Sequence, residues 1–362
     1  MKKLIVNTGT LTAGGAERVL SVLSYSLADI FEEVIFVMWL DAEHPDIHYD
    51  IDRRVKILRL SQMSRSQSII KQSLWYRKFV KSEKPDLVLS FMVMVNFAVT
   101  LSLLFSGTAQ IVAERNDPRY FKRKWLRKLI NWSYLTPDVK GIIVQTQCIK
   151  DYFKKSRLYK KCDIIKNPLF LSKDIIGAAL NTAKTNTIVS IGRLKNQKQH
   201  WVLLEAFAVF YRTHPSYKLI IYGDGELRSF LLNLAEELHI KDAVSLPGIS
   251  NNLHSDILSA KMFVMTSRYE GMSNALAEAL CLGLPCISTK VSGADELIEE
   301  GVNGFLVHSG DIHSISRLME EIVDTPQCCN GVAQKSDEIF RLLNKDRICK
   351  DWTRYLESKC IS

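Results

Sequence analysis

Unbroken apolar runs of three to five residues recur along this chain, and each pair of neighbouring runs leaves room for a helix between them. Val34-Ile35-Phe36-Val37-Met38 and Met262-Phe263-Val264-Met265 are clear examples. A strand with one wet face alternates apolar and polar residues, whereas an unbroken run suits a strand covered on both faces, as in a parallel sheet under helices. In the first half the strands are read at Leu4–Val6, Val34–Met38, Val55–Leu58, Asp86–Ser90, Ile111–Ala113 and Gly141–Val144. In the second half they are read at Thr187–Ile191, Lys218–Tyr222, Val244–Leu246, Met262–Met265, Pro285–Ser288 and Gly304–Val307. The same βα alternation thus occurs twice, which predicts an α/β chain with two doubly wound parallel sheets. A length of 362 residues accommodates two domains of roughly 150–200 residues, each with its own core. Asn167-Pro168 ends the first set, and small polar residues dominate the following stretch to Asn186. The domains are therefore read as 1–170 and 171–336. Ligands of such sheets bind beyond the carboxyl ends of the strands, in a crevice.

Charge separates the halves. Residues 1–170 hold 28 Lys+Arg against 16 Asp+Glu, a balance of +12, and residues 171–362 hold 20 against 23, a balance of −3. A basic first half points to a polyanion or an anionic membrane surface. Within it, Arg119 to Lys128 carries six cations and no acid. If Phe121–Ser133 is one helix, Phe121, Trp125, Leu129 and Trp132 share a face, and Arg123, Lys124, Arg127 and Lys128 lie on the opposite one, so that the helix can lie on anionic lipid, its cations can hold an acceptor's diphosphate, or its aromatics can pack on the sheet beneath a solvated cationic face. No nucleic-acid motif accompanies these cations, so nucleic acid is not expected as a partner. The apolar stretch Phe91–Phe105 is interrupted by Asn96 and hydroxyl residues and falls short of the ~20 residues a spanning helix needs. The opening segment reads as a buried strand rather than a signal peptide. The eight cysteines form no C-x-x-C pair, so neither a metal site nor a disulfide framework is expected, and free thiols suit a reducing cytosol.

Three segments of the second half carry chemistry. Gly192-Arg193-Leu194-Lys195-Asn196-Gln197-Lys198 follows a strand. Arg193 can fork two phosphate oxygens there and Lys198 can add a point charge. Ser267-Arg268-Tyr269-Glu270-Gly271-Met272-Ser273-Asn274-Ala275-Leu276-Ala277-Glu278 follows another strand and runs into a helix. Gly271 permits close backbone approach, Ser273 or Asn274 can cap the helix, and its free amides suit a phosphate or a sugar hydroxyl. Glu270 and Glu278 can accept hydrogen bonds from hydroxyls. Val291-Ser292-Gly293-Ala294-Asp295-Glu296-Leu297 is a third loop, weak by itself.

Taken in order, these segments resemble the retaining GT-B glycosyltransferases, specifically glycosyltransferase family 4. The frame SRYEGMSNALAEAL, with Glu270 and Glu278 spaced E-x7-E, is the most specific part. GRLKNQK, LTAGGAERVL at Leu11–Leu20 and VSGADELIEEGVNGFLV at Val291–Val307 follow the family's order, and the resemblance spans nearly the whole chain. It implies two Rossmann-like domains facing a central cleft, with a C-terminal helix (residues 337–362, helical over Asp337 to Glu357) crossing back to the first domain. Arg193 and Lys198 would hold the donor diphosphate and stabilise the leaving group. Glu270 and the backbone of Gly271, Met272, Ser273 and Asn274 would contact sugar and phosphate, Glu278 the ribose, and Gly15 and Gly192 would complete the donor site. Gly14 would serve the acceptor side. Where many family members carry a histidine near the transferred sugar, this chain has Glu114-Arg115-Asn116-Asp117. That tetrad resembles a branch acting on bacterial polysaccharide and lipid-linked oligosaccharide precursors, with Glu114, Arg115 and Asn116 on the acceptor side.

The implied reaction moves a hexose or N-acetylhexosamine from a UDP-sugar to a hydroxyl of a glycan, carried on a polyprenyl diphosphate, in polysaccharide biosynthesis. It needs no cofactor and no metal. The implied location is cytoplasmic, peripheral on the inner face of the membrane. A non-catalytic partner subunit and a nucleotide-sugar epimerase share the fold and stay open as alternatives. A dinucleotide-dependent dehydrogenase is disfavoured, because no G-x-G-x-x-G follows the first strand.

Overall fold

The computed structural model describes residues 2–12, 14–40, 47, 49–66, 68–325 and 327–360. Ala13, inside the first glycine turn, lies outside the described residues. The chain divides into two units, one of residues 1–168 with 345–362 and one of residues 169–344.

The first unit runs β1 (Lys3–Thr8), α1 (Gly15–Ile30), β2 (Glu33–Met38), β3 (Lys56–Arg59), α2 (Leu60–Ser64), α3 (Ile69–Glu83) and β4 (Leu87–Phe91). It continues with α4 (Val93–Ser102), β5 (Gln110–Ala113), α5 (Lys124–Ser133), β6 (Val139–Val144), α6 (Gln147–Tyr152) and β7 (Cys162–Ile164). All neighbouring strands pair in parallel, in the order β3-β2-β1-β4-β5-β6-β7. Alternate residues of the strands face opposite layers. Leu87 and Leu89 join the core under α1, whereas Val88 joins Tyr76 and Val80 of α3 and Val95 and Val99 of α4. Ile130 of α5 closes the same layer further along the sheet, with Val112 and Ile142.

The second unit runs α7 (Lys173–Asn181), β8 (Thr187–Ile191), α8 (His200–Tyr211), β9 (Lys218–Tyr222), α9 (Arg228–Glu237), β10 (Val244–Gly248) and α10 (Leu253–Ile257). It continues with β11 (Met262–Met265), α11 (Asn274–Cys281), β12 (Cys286–Thr289), β13 (Gly304–Val307), α12 (Ile312–Asp324) and α13 (Val332–Leu343). Its sheet is also parallel, ordered β10-β9-β8-β11-β12-β13. The last helix, α14 (Lys345–Cys360), belongs to the first unit, where Ile348, Trp352 and Leu356 enter the core beside α1. The return to the first unit therefore falls at Asn344/Lys345 instead of 336/337. The segment read as one helix from Asp337 is two, because Asn344 leaves the helical conformation at ψ 131°.

The basic segment differs from its sequence reading. Phe121 lies outside the helix, and α5 begins at Lys124. Arg127 faces inward and is buried, while Trp125, Leu129 and Trp132 are exposed. Of the four cations read on one face only Arg127 turns inward, while Arg123, Lys124 and Lys128 stay exposed. The cause is a buried carboxylate: Glu114, at the end of β5, draws Arg127 in to 2.9 Å. Among the described residues no helix is long and apolar enough to cross a membrane.

Candidate active site

In the second sheet the strand order reverses between β8 and β11. Loops leaving the carboxyl ends of two such strands turn to opposite faces, which opens a crevice between them. The Arg193–Lys198 loop leaves β8, and the Glu270 loop leaves β11. These loops are sewn together. The Arg268 amide donates to Gln197 O at 2.8 Å, and Gln197 Nε2 donates to Tyr269 O at 2.8 Å. Thr266 Oγ1 donates to the carbonyls of Lys198 and Gln199, both at 3.0 Å.

This stitching sets the charges. Lys198 Nζ lies 2.7 Å from Glu270 Oε1, with both side chains mostly shielded from water. Gln197 Nε2 approaches the other carboxylate oxygen at 3.4 Å. The Lys198 stem passes over Gly192, where an added Cβ would come 3.0 Å from Cδ and Cε. Arg193 sits on the same loop and is exposed. The loop rests on a second tight turn after β9: Gly223 has φ +130°, and a Cβ there would lie 2.2 Å from Gly192 O. A left-handed glycine at a close backbone approach tolerates no side chain.

The Glu270 loop ends on α11. Ser273 Oγ accepts from the Leu276 amide at 3.3 Å, capping the helix. Gly271 and Met272 are buried, and Asn274 is half-buried at the first helical position. One helical turn further, Glu278 is buried, with His254 Nε2 of α10 lying 3.1 Å from Glu278 Oε2. An ammonium, two carboxylates and a helix N-terminus thus come from the loops after two neighbouring strands and from the helix that the second loop enters. Together they can meet phosphate oxygens and hydroxyls in one ligand.

His200, just past this loop, is buried, and burial pulls its imidazole down to about 4, with Lys198 adding to the shift. It is neutral at physiological pH and belongs to the support of the loop.

In the first unit, Gly14 precedes α1 in an extended conformation, and a Cβ there would meet the Glu17 carboxylate at 2.2 Å. Gly15 opens the helix. At the end of β5, Glu114 is buried and committed to Arg127 Nη1 at 2.9 Å and Tyr134 Oη at 2.8 Å. Burial opposes a charge on Arg127, yet Glu114 holds the guanidinium above its ordinary value. Arg115 is buried too. Its Nη2 donates to Asn167 Oδ1, which also accepts from Gln145 Nε2 at 2.7 Å. Burial lowers the Arg115 guanidinium to about 10, and Glu17 partly offsets it. Asn116 alone of the three is exposed. Asp117 is held by its own neighbour Arg119 at 2.5 Å.

Residues 172–338 match the family model described as Glycosyl transferases group 1, a span that lies within the second unit and contains all of its site residues. The chain is a glycosyltransferase. It is 28% identical over 97% of its length to the GalNAc-alpha-(1->4)-GalNAc-alpha-(1->3)-diNAcBac-PP-undecaprenol alpha-1,4-N-acetyl-D-galactosaminyltransferase of Campylobacter jejuni, covering 95% of that protein. It is 24% identical over 98% of its length to the amylovoran biosynthesis glycosyltransferase AmsD of Erwinia amylovora, covering 99% of it. Among solved structures, Anabaena HepE in complex with UDP and glucose superposes with a TM-score of 0.79 at 17% identity, over 99% of this chain and 100% of the other. The glycosyltransferase has the GT-B fold, built from two Rossmann-like units.

Two contributors to this glycosyltransferase's site escape sequence reasoning. His254 comes from a different element and belongs to no motif, so only the fold brings it to Glu278. Gly223 is visible in the sequence as part of Gly223-Asp224-Gly225, but its role as the floor under Gly192 depends on which strands are neighbours.

Proposed function

We propose that this enzyme transfers a hexose or N-acetylhexosamine from a UDP-sugar to a hydroxyl of a polyprenyl-diphosphate-linked glycan, with retention of the donor's α configuration, as a member of glycosyltransferase family 4. The observation that carries the reading is the 2.7 Å meeting of Lys198 and Glu270 where the strand order reverses. A cation held there by a carboxylate is positioned before any ligand arrives. Arg193 and Lys198 neutralise the diphosphate and the charge that develops on the leaving phosphate. Preorganised cations of this kind stabilise the transition state without reorganising. Glu270 engages the transferred sugar, and Glu278, oriented by His254, engages the ribose. Gly192, Gly271, Met272, Ser273 and Asn274 bring backbone close to the donor. Gly14, Arg115 and Asn116 serve the acceptor side, with Glu114 held by Arg127 and Tyr134 at the same strand end. The leaving phosphate takes the acceptor's proton in front-face attack. No metal is required, because Arg193, Lys198 and the α11 N-terminus supply the positive field.

The relatives support this acceptor class, since the Campylobacter protein acts, by its name, on an undecaprenol-diphosphate saccharide. The N-acetylhexosamine in that name and the UDP bound by the Anabaena structure support the donor class. The enzyme then works in the cytoplasm at the inner membrane face, where such acceptors are built.

The test is turnover of a panel of radiolabelled UDP- and GDP-sugars by the purified chain with a lipid-linked acceptor. Lys198→Ala and Arg193→Ala are each expected to lower kcat by about 10²-fold or more, and added EDTA is expected to leave the rate unchanged. Transfer by Arg193→Ala at the wild-type rate would overturn the reading. Product formed from the donor alone would identify an epimerase instead.

A further inference from the structure

Gln199 stands between the ammonium of the candidate site and the helix behind it. It follows Lys198 directly and precedes His200, the first residue of α8. Its backbone is left-handed, at φ 48° and ψ 42°. Glycine takes that conformation without cost and asparagine or aspartate visits it, whereas a glutamine is held there against its own preference. A residue serving α8 alone would be extended and would cap the helix with its side chain, as Ser273 does for α11. Gln199 is not extended, and its side chain makes no hydrogen bond to the helix amides.

The turn is fastened from two other strands of the sheet. Thr266, directly after β11, grips the carbonyls of Lys198 and Gln199 with one hydroxyl, each at 3.0 Å. Ser309, in the turn after β13, donates its hydroxyl to Gln199 Oε1 at 2.7 Å. Behind the turn α8 cannot follow a change of backbone. His200 is buried, and Val202 and Leu203 are set in the core with Ile188 and Ile221. Any other conformation at Gln199 would therefore swing the chain on its free side. That side is Lys198, whose stem crosses Gly192 to reach Glu270.

We propose that Gln199 is a positioning residue for sugar transfer: its left-handed turn, held by Thr266 and Ser309, aims the Lys198 ammonium at the donor diphosphate. The inference rests on the role given to Lys198 above and extends it to residues that act only through that lysine. Backbone strain persists where its surroundings over-determine it, and it collects at sites that use the resulting geometry. Here the surroundings are two hydroxyls from neighbouring strands, and the geometry is the approach of Lys198 Nζ to Glu270 at 2.7 Å. A cation fixed before the ligand arrives needs no reorganisation as charge develops on the leaving phosphate.

The experiment is steady-state turnover by full-chain variants, using the UDP-sugar that the panel above turns over fastest, in the wild-type and Lys198→Ala backgrounds. Gln199→Val places a branched side chain on a left-handed backbone and is expected to lower kcat by about tenfold to a hundredfold, more than it changes the donor KM. Gln199→Gly takes the turn freely and is expected to keep kcat within about twofold of wild type. Ser309→Ala is expected to lose about twofold to threefold. With Lys198→Ala in place, Gln199→Val is expected to lower kcat no further, since a residue acting through the lysine has nothing left to position. If the valine variant does not fold, Gln199→Ala replaces it, with a smaller loss in the same direction. A branched or alanine variant that turns over like wild type overturns the proposal. So does a glycine variant as slow as the valine one, or an equal loss in both backgrounds. Lys198→Ala at the wild-type rate would defeat the role of Lys198 and this inference with it, whereas the other outcomes defeat the inference alone.

Discussion

Arg127 and Glu114 show how a single buried pair directs a whole face of the molecule. Both are almost fully enclosed, with Tyr134 as the carboxylate's second donor and the rings of Tyr152 and Phe153 within 5.5 and 5.7 Å of the guanidinium. Removing one member strands the other charge away from water. Arg127→Met is therefore expected to cost roughly 3–5 kcal/mol, and Arg127→Met with Glu114→Gln much less. Urea denaturation of the two variants against wild type measures the difference. His200 makes a separate prediction in pH. It stays neutral in the fold down to about 4, whereas the unfolded chain protonates near 6.5. The unfolded state thus binds the extra proton between those values, and stability falls as pH drops from 6.5 toward 4. Above pH 6.5 the group contributes no slope. His200→Gln is expected to flatten the decline, by something on the order of 3 kcal/mol at the acid end, seen by comparing melting temperatures of variant and wild type across this range.

The elements differ in how far the sequence reveals them. Continuous apolar runs identify most strands, since a doubly covered strand has few other ways to look. The run read at Val55–Leu58 appears as Lys56–Arg59, and the helix read from Trp201 begins at His200. β7 escapes because three residues, Cys162-Asp163-Ile164, carry too little pattern. The orientation of α5 escapes for a different reason. Periodicity separates its two faces but does not tell which one the protein covers, and the buried Glu114 that decides it lies ten residues upstream of the helix. The Glu270–Glu278 segment was legible because capping, close approach and carboxylate spacing fall within one loop and helix. Its partner His254 comes from helix α10 and its neighbour Lys198 from another loop, and only the fold joins them. The turn after β9 belongs to this scale. Gly223→Ala would force either its own left-handed backbone or the Gly192 carbonyl to move. The substitution is expected to destabilise the second unit by about 1–3 kcal/mol and to raise the KM for the donor while leaving kcat largely intact at saturation, measurable by calorimetry and initial rates.

At the scale of the molecule, the first unit is assembled from two stretches of chain far apart in sequence. α14 packs along α1, and Trp352 is fully buried, stacked on Phe91 with ring centres 5.5 Å apart. Ile348, Trp352 and Leu356 each contribute roughly 1.5–3 kcal/mol by burial, a large share of what holds a domain of this size together. A chain ended at Asn344 is expected to keep a protease-resistant second unit while its first 168 residues are digested, with fragments read by mass spectrometry. Resistance throughout would show that α14 is dispensable.

That discontinuity has a consequence for synthesis. The amino-terminal unit is translated first yet is completed only after the second unit, because one wall of its core lies in α14. Until the turns of α14 emerge from the ribosome, a nascent chain carries a finished second unit and an open apolar sheet in the first. Chaperones and proteases that sense exposed apolar surface can therefore tell a chain stopped before α14 from one that includes it.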